Sequence, residues 1–139
     1  SYTMVEELYK AAEAGVKIKM IVRGICCLLP QNHKNIEVIS IVGRFLEHTR
    51  FFIFKNNGNN DVYISSADWM TRNLDNRVEV TCPILDLKVK NEINDIFNIY
   101  WSDNTKSRYL NSSILNSYKS KLKGAKSIEA QKEIYNYYK

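Results

Sequence analysis

Between Ser40 and Val80 the chain places Arg44, His48, Arg50, Arg72 and Arg77 around the run Ser65-Ser66-Ala67-Asp68-Trp69-Met70. A guanidinium stays charged and offers a planar fork of donors that matches phosphate oxygens. An imidazole can exchange a proton, or stabilise charge, near neutral pH. One histidine with several arginines, short hydroxyl side chains and few acids therefore suits a phosphorylated polyanion. Arginines at 44 and 50 would oppose protonation of His48 unless an anion sits between them; the competing reading is a structural or merely exposed histidine. Arg23 ends the segment 16–22, which alternates and then becomes continuously apolar. In open α/β sheets the carboxyl ends of strands form the ligand crevice. A guanidinium buried there is costly unless it meets an anion, or a carboxylate such as Glu79 or Asp68. Ser65 and Ser66 could donate to a phosphoryl oxygen, yet by themselves they read as a strand-to-loop turn. Asp68 and Glu79 could orient His48 or an arginine. His33, in a polar loop, shows no partner and reads as structural.

No Gly-rich phosphate loop and no dinucleotide-binding glycine fingerprint is present, so any nucleotide contact must use side chains more than a backbone cradle. Cys26, Cys27 and Cys82 form no disulfide framework and no zinc spacing. They read as three buried thiols in a reducing compartment, which places the protein in the cytoplasm. Net charge is +5, which suits an anionic partner without naming one. Residues 1–83 carry ten Lys+Arg against nine Asp+Glu, and residues 84–139 ten against six. Five of the six arginines lie in the nearly neutral first part, whereas the tail uses lysine. The cluster Lys119, Lys121, Lys123 and Lys126 is most simply a solvated face. Apolar runs fall well short of the roughly 20 residues of a membrane-spanning helix. The polar start at Ser1-Tyr2-Thr3 resembles no signal peptide and fits a piece cut from a longer protein.

The elements that must position these residues follow from periodicity. Val5, Leu8, Tyr9 and Ala12 recur at helical spacing until Gly15. Residues 16–22 read as a strand buried on both faces. After Pro30 and the polar loop 31–35, residues 36–42 form a second strand and 51–54 a third. Residues 56–60, Asn-Asn-Gly-Asn-Asn, form a turn, and 62–65 pair back as a hairpin. Residues 68–76 are a loop or short helix, and 78–82 a strand ended by Pro83. Asp86 caps an amphipathic helix with the stripe Val89, Ile93, Ile96, Phe97 and Tyr100. Residues 111–123 read as a loose helix or linker, and a tyrosine-rich closing helix follows from Ile128. A helix leading into a buried strand predicts an α/β layered domain of 1–110 with a helical tail, 111–139.

Taken in order, these segments resemble the C-terminal catalytic domain of bacterial polyphosphate kinase, the histidine-phosphorylating type. The resemblance rests on Ala14-Gly15-Val16-Lys17-Ile18, Ile21-Val22-Arg23-Gly24-Ile25-Cys26 and Ser40-Ile41-Val42-Gly43-Arg44-Phe45-Leu46-Glu47-His48. Val62-Tyr63-Ile64-Ser65-Ser66-Ala67-Asp68-Trp69-Met70-Thr71-Arg72-Asn73 and Arg77-Val78-Glu79-Val80 complete it. It implies a phospholipase D-like α/β domain with a mixed central sheet flanked by helices. It also implies an enzyme that reversibly moves the terminal phosphoryl group of ATP onto polyphosphate through a phosphohistidine, with Mg2+. Each of two such domains gives one histidine to a shared site. His48 matches the second histidine, and Arg23 and Arg77 match arginines that contact the nucleotide phosphates. The phosphorylated histidine and the magnesium ligands belong to the preceding domain of the same polypeptide, so the isolated piece is expected to be inactive. The implied partners are ATP, ADP and polyphosphate, within a homo-oligomeric and sometimes membrane-associated cytoplasmic enzyme; no nucleic acid is expected.

Two other readings differ in class. Phospholipase D hydrolases use His-x-Lys and then an aspartate after four further residues. Here the triplet is His48-Thr49-Arg50 and Lys55 stands at the aspartate position, which argues against phosphodiester hydrolysis. A polyanion- or nucleic-acid-binding module would present aromatics among basic residues on an open surface; Phe51, Phe52 and Phe54 read as buried, which argues against it.

Overall fold

The computed structural model describes residues 1–30, 33–110 and 117–139. The chain divides into two compact units, residues 1–4 with 47–97 and residues 5–46 with 98–139. The α/β class expected from the sequence is found, with its strands shared between two three-stranded sheets.

In the 5–46/98–139 unit, helix α1 (Tyr2–Glu13, entering at Val5) turns Val5, Leu8, Tyr9 and Ala12 toward β1 (Ile18–Val22) and β2 (Ile36–Ile41). The helix stops because Gly15 adopts φ +95°, and Gly15 and Val16 donate back to the carbonyls of Ala12 and Ala11, both at 3.0 Å. That pair closes a Schellman-type end, which glycine enters without steric cost. β2 is central: β1 pairs with it in parallel, Met20 opposite Val38, and β6 (Ser107–Tyr109) pairs antiparallel, Ser40 opposite Arg108. β1 was expected to be buried on both faces. It is an edge strand and mostly half-buried, while Val38, Ile39 and Ile41 of β2 hold the core. A continuous apolar run cannot by itself tell edge from centre.

The 1–4/47–97 unit carries an antiparallel sheet of β3 (Phe51–Phe54), β4 (Asp61–Ser65) and β5 (Thr81–Ile84). The β3–β4 turn places Asn56, Asn57 and Gly58 at positive φ, which Asn and Gly tolerate. β5 begins three residues after the start of the predicted 78–82 and ends two after its end, with Pro83 inside it opposite Tyr63. An edge strand accepts proline because one of its sides needs no ladder donor. Helix α2 (Thr71–Asn76) is short. Helix α3 (Leu87–Ser102) starts as expected, with the Val89 N–H donating to Asp86 Oδ1 at 2.9 Å. Its Phe97 packs edge-on against Phe51, and Trp69 stacks on Phe52 with ring centroids 4.9 Å apart. Phe54 was expected to be buried, yet it is 52% exposed at the sheet margin.

The buried carboxylate of Asp103 organises the tail. Its Oδ1 accepts the N–H groups of Thr105, Lys106 and Ser107 at 2.9, 2.7 and 3.0 Å, and its Oδ2 accepts that of Ala130 at 2.7 Å. Asn104 adds Nδ2 to the Lys126 carbonyl and takes the Ile128 N–H on Oδ1. Four donors to an ionised oxygen pair offset the cost of dehydrating it. Helix α4 (Ala130–Tyr137) is thereby anchored at its first residue. The expectation for 111–123 lies outside the described residues over 111–116.

Other expectations change. Cys27 and Cys82 are exposed and Cys26 half-buried, all free thiols, because the segments that carry them lie at loop and edge positions. Lys119 is half-buried over the Trp101 ring, and desolvation lowers its pKa. His33 does have a partner, stacking on Tyr9 with centroids 4.5 Å apart. Among the described residues no helix is long and apolar enough to cross a membrane.

Asp103→Ala removes the acceptor of four backbone donors and should cost at least ~2 kcal/mol locally, a ~30-fold rise in amide exchange. Hydrogen exchange of Ser107 and Ala130 in the intact protein measures it.

Candidate functional site

His48 lies in the irregular link between β2 and β3 and is exposed. What holds its backbone is Arg50. The Arg50 guanidinium forks onto Asp68, Nε to Oδ1 at 2.7 Å and Nη2 to Oδ2 at 3.3 Å, while Nη1 donates to the His48 carbonyl at 3.0 Å. The Arg50 carbonyl in turn accepts the Ser65 N–H at 2.9 Å. Asp68 raises the already high pKa of Arg50, chiefly through that hydrogen bond. Arg50 is therefore a paired, half-buried brace. Asp68 thus orients an arginine, one of the two roles expected of it, and Arg50 flanks His48 as a paired cation.

A second knot fixes the loop between α2 and β5. Ser66 Oγ donates to Glu79 Oε2, and Asn73 Nδ2 donates to Oε1 at 2.8 Å. Ser66 Oγ also accepts the Val80 N–H at 3.0 Å, and the Ser66 N–H donates to the Val80 carbonyl at 3.0 Å. These bonds, that from Ser66 first and that from Asn73 second, hold the Glu79 carboxyl below its ordinary value of 4.5, with Arg77 and Arg50 adding attraction. Ser65 Oγ accepts the Ala67 N–H and lies 2.9 Å from Thr81 Oγ1. Both serines thus serve the turn. Asn73 is 3% exposed, and its Oδ1 has no hydrogen-bond partner.

Arg77 ends α2 in an extended conformation and is exposed, two residues before the tethered Glu79. Arg23 follows β1 at its carboxyl end and is exposed, in the 5–46/98–139 unit. Neither makes an ion pair among the described residues, and no hydrogen bond or ion pair joins the His48 imidazole to Arg77 there. The carboxylates suggested as alternative partners of Arg23 are engaged inside their own unit, Asp68 by Arg50 and Glu79 by Ser66 and Asn73. Among the described residues no group of three His, Cys, Asp or Glu side chains is placed to hold a metal ion.

One arrangement escaped the sequence reading. Gln131 of α4 accepts the Phe45 N–H on Oε1 at 3.0 Å and donates from Nε2 to the Phe45 carbonyl at 2.8 Å. The partners are 86 residues apart, and nothing in local spacing signals such a contact.

Each unit is of mixed α/β type; among the described residues Arg23 and Arg77 make no ion pair, and His48 is braced through its carbonyl by Arg50. Residues 1–131 match the family described as polyphosphate kinase C-terminal domain 2, and the chain belongs to that family. It is 48% identical to a polyphosphate kinase of Vibrio parahaemolyticus, 47% to one of Yersinia pestis and 45% to one of Escherichia coli strain K12. Each match covers 98% of this chain and 20% of the relative, so the chain spans about a fifth of the curated relatives it matches. The crystal structure of polyphosphate kinase from Porphyromonas gingivalis superimposes with a TM-score of 0.95 at 46% identity, covering 99% of this chain and 22% of that one.

A depressed carboxyl pKa stabilises the folded form above the usual value and loses that contribution as pH falls through the lower, folded value. The Ser66–Glu79–Asn73 knot should therefore loosen only as pH falls below 4.5. Protection of the Val80 amide, its exchange relative to the intrinsic rate at each pH, should fall in that range, and Glu79→Gln should remove this fall.

Proposed function

We propose that this chain serves as the domain of a polyphosphate kinase that grips the phosphates of ATP and polyphosphate. It would assist reversible transfer of the terminal phosphoryl group through a histidine phosphorylated elsewhere in the full enzyme. The observation that carries this is 45–48% identity to polyphosphate kinases over nearly the whole chain, together with exposed Arg23 and Arg77 that make no ion pair among the described residues. Phosphoryl transfer asks a protein chiefly for placement and for neutralisation of the spread negative charge. In this reading Arg23 and Arg77 clamp the nonreacting phosphates, and His48 donates an N–H to a bridging or terminal oxygen. The phosphorus leaves the ADP oxygen, bonds to the nucleophilic histidine nitrogen, and is then attacked by a polyphosphate oxygen. Among the described residues no group of three His, Cys, Asp or Glu side chains could hold magnesium, and in this reading its ligands belong to the preceding part of the full enzyme. A cytoplasmic location, a preceding catalytic domain and homo-oligomerisation belong to the same proposal.

In the full-length enzyme, His48→Ala or Arg23→Ala should lower turnover on the order of 10²-fold or more, as loss of an oxyanion donor does. Near-normal polyphosphate synthesis by both variants would refute the assignment. Arg50→Lys cannot fork onto Asp68 and still reach the His48 carbonyl. It should lower kcat about tenfold while KM for ATP holds, since a positioning error acts on the transition state.

A further inference from the structure

The loop that leads from β2 toward His48 is held far more firmly than its exposure suggests. Residues 42–46 have no regular structure, and Arg44, Phe45 and Leu46 are exposed. Yet both backbone groups of Phe45 are taken by one side chain, the amide of Gln131. Gly43 is the counterpart. A Cβ there would fall inside that amide, 2.5 Å from Cδ and 2.9 Å from Nε2 of Gln131. Gln131 could swing away from such a methyl group only by giving up its bonds to Phe45. The amide is itself placed by the start of α4, where Asp103 Oδ2 accepts the Ala130 N–H. Gly43, Phe45 and Gln131 thus form a clasp around one residue, Arg44.

Arg44 is what the clasp presents. Its guanidinium lies over the neighbouring Phe45 ring, 5.6 Å from the centroid, and it makes no ion pair among the described residues. Arg50, by contrast, is neutralised by Asp68. A guanidinium on a pinned backbone and steadied by an aromatic face loses little freedom on meeting an anion, and its fork suits paired phosphate oxygens.

We propose that Arg44 is a further phosphate-contacting residue of this domain and that Gln131 is the positioning residue that presents it. The proposal rests on the phosphate-gripping function above. The phosphate could belong to ATP or to polyphosphate, and separate titrations distinguish the two.

The test uses the full-length enzyme with ATP and with inorganic polyphosphate as variable substrates. Arg44→Ala should raise KM for at least one of them about tenfold, with Arg44→Lys recovering only part, because a point charge lacks the fork. Gln131→Met keeps helix propensity but loses both hydrogen bonds, and should raise the same KM by about fivefold. Gly43→Ala should match Gln131→Met. Arg44→Ala combined with Gln131→Met should be no worse than Arg44→Ala alone, since Gln131 acts through Arg44. Phe45 amide exchange should quicken in Gln131→Met while that of α4 does not, which separates loss of the clasp from unfolding of the helix. Unchanged KM values in Arg44→Ala, or additive losses in the double variant, overturn the proposal. His48→Ala, run alongside, tests the underlying function. Normal turnover there and in Arg23→Ala sinks that function, whereas inactive His48→Ala with unaffected Arg44→Ala sinks this inference alone.

Discussion

A buried carboxylate holds the larger unit together. Three-stranded sheets with strands of three to six residues leave many backbone groups without a ladder partner, and a buried unpaired N–H costs about 1–3 kcal/mol. Asp103 takes four such donors on one side chain that is 0% exposed. It closes the turn after α3, sets the entry into β6 and fixes the first residue of α4. Because α4 carries Gln131, the conformation of the loop around Arg44 depends on a charge placed 59 residues further along the chain.

The other unit repeats the logic with smaller means. Its loops are held by two acidic side chains, each meeting donors from both sides of a turn. Asp68 holds Arg50, which reaches the His48 carbonyl; Glu79 holds Ser66 and Asn73, and Ser66 reaches Val80. Carboxylates suit this task because an ionised oxygen accepts more and stronger hydrogen bonds than an amide. The consequence is a division of labour among the basic groups. Arg50 is consumed by structure, whereas among the described residues Arg23 and Arg44 make no ion pair, and Arg77 attracts Glu79 without forming one. Asp68 and Asp103 spend their oxygens on Arg50 and on backbone N–H groups, which is why neither is available to Arg23 or Arg44.

This division also argues against the hydrolase alternative in physical terms. In the phospholipase D pattern the position two after the histidine is a lysine free to act on phosphate. Here it is Arg50, whose planar fork is bound to Asp68 and whose third contact goes to main chain. A residue so engaged steadies the backbone and has no fork left for a substrate.

Much of the fold was legible in the sequence where the signal is local. The α1 stripe ending at Gly15, the Asn-Gly turn, the strand 51–54 and the Asp86 cap all depend on neighbours within a few residues, so spacing and turn chemistry reveal them. The ordered motifs around Arg23, His48 and Arg77 pointed to the family for the same reason. What spacing could not decide was environment. Whether 16–22 is an edge or a centre, whether Pro83 ends a strand or lies within one, and whether Phe54 or Cys82 meets water depend on which strand pairs alongside. Which cations are free depends equally on partners distant in the chain, as Arg50 with Asp68 and Phe45 with Gln131 show. Residue types and their local order were enough to say what chemistry this protein can offer. Only folding, which brings distant donors and acceptors to within 3 Å, decided which of those groups remain available to perform it.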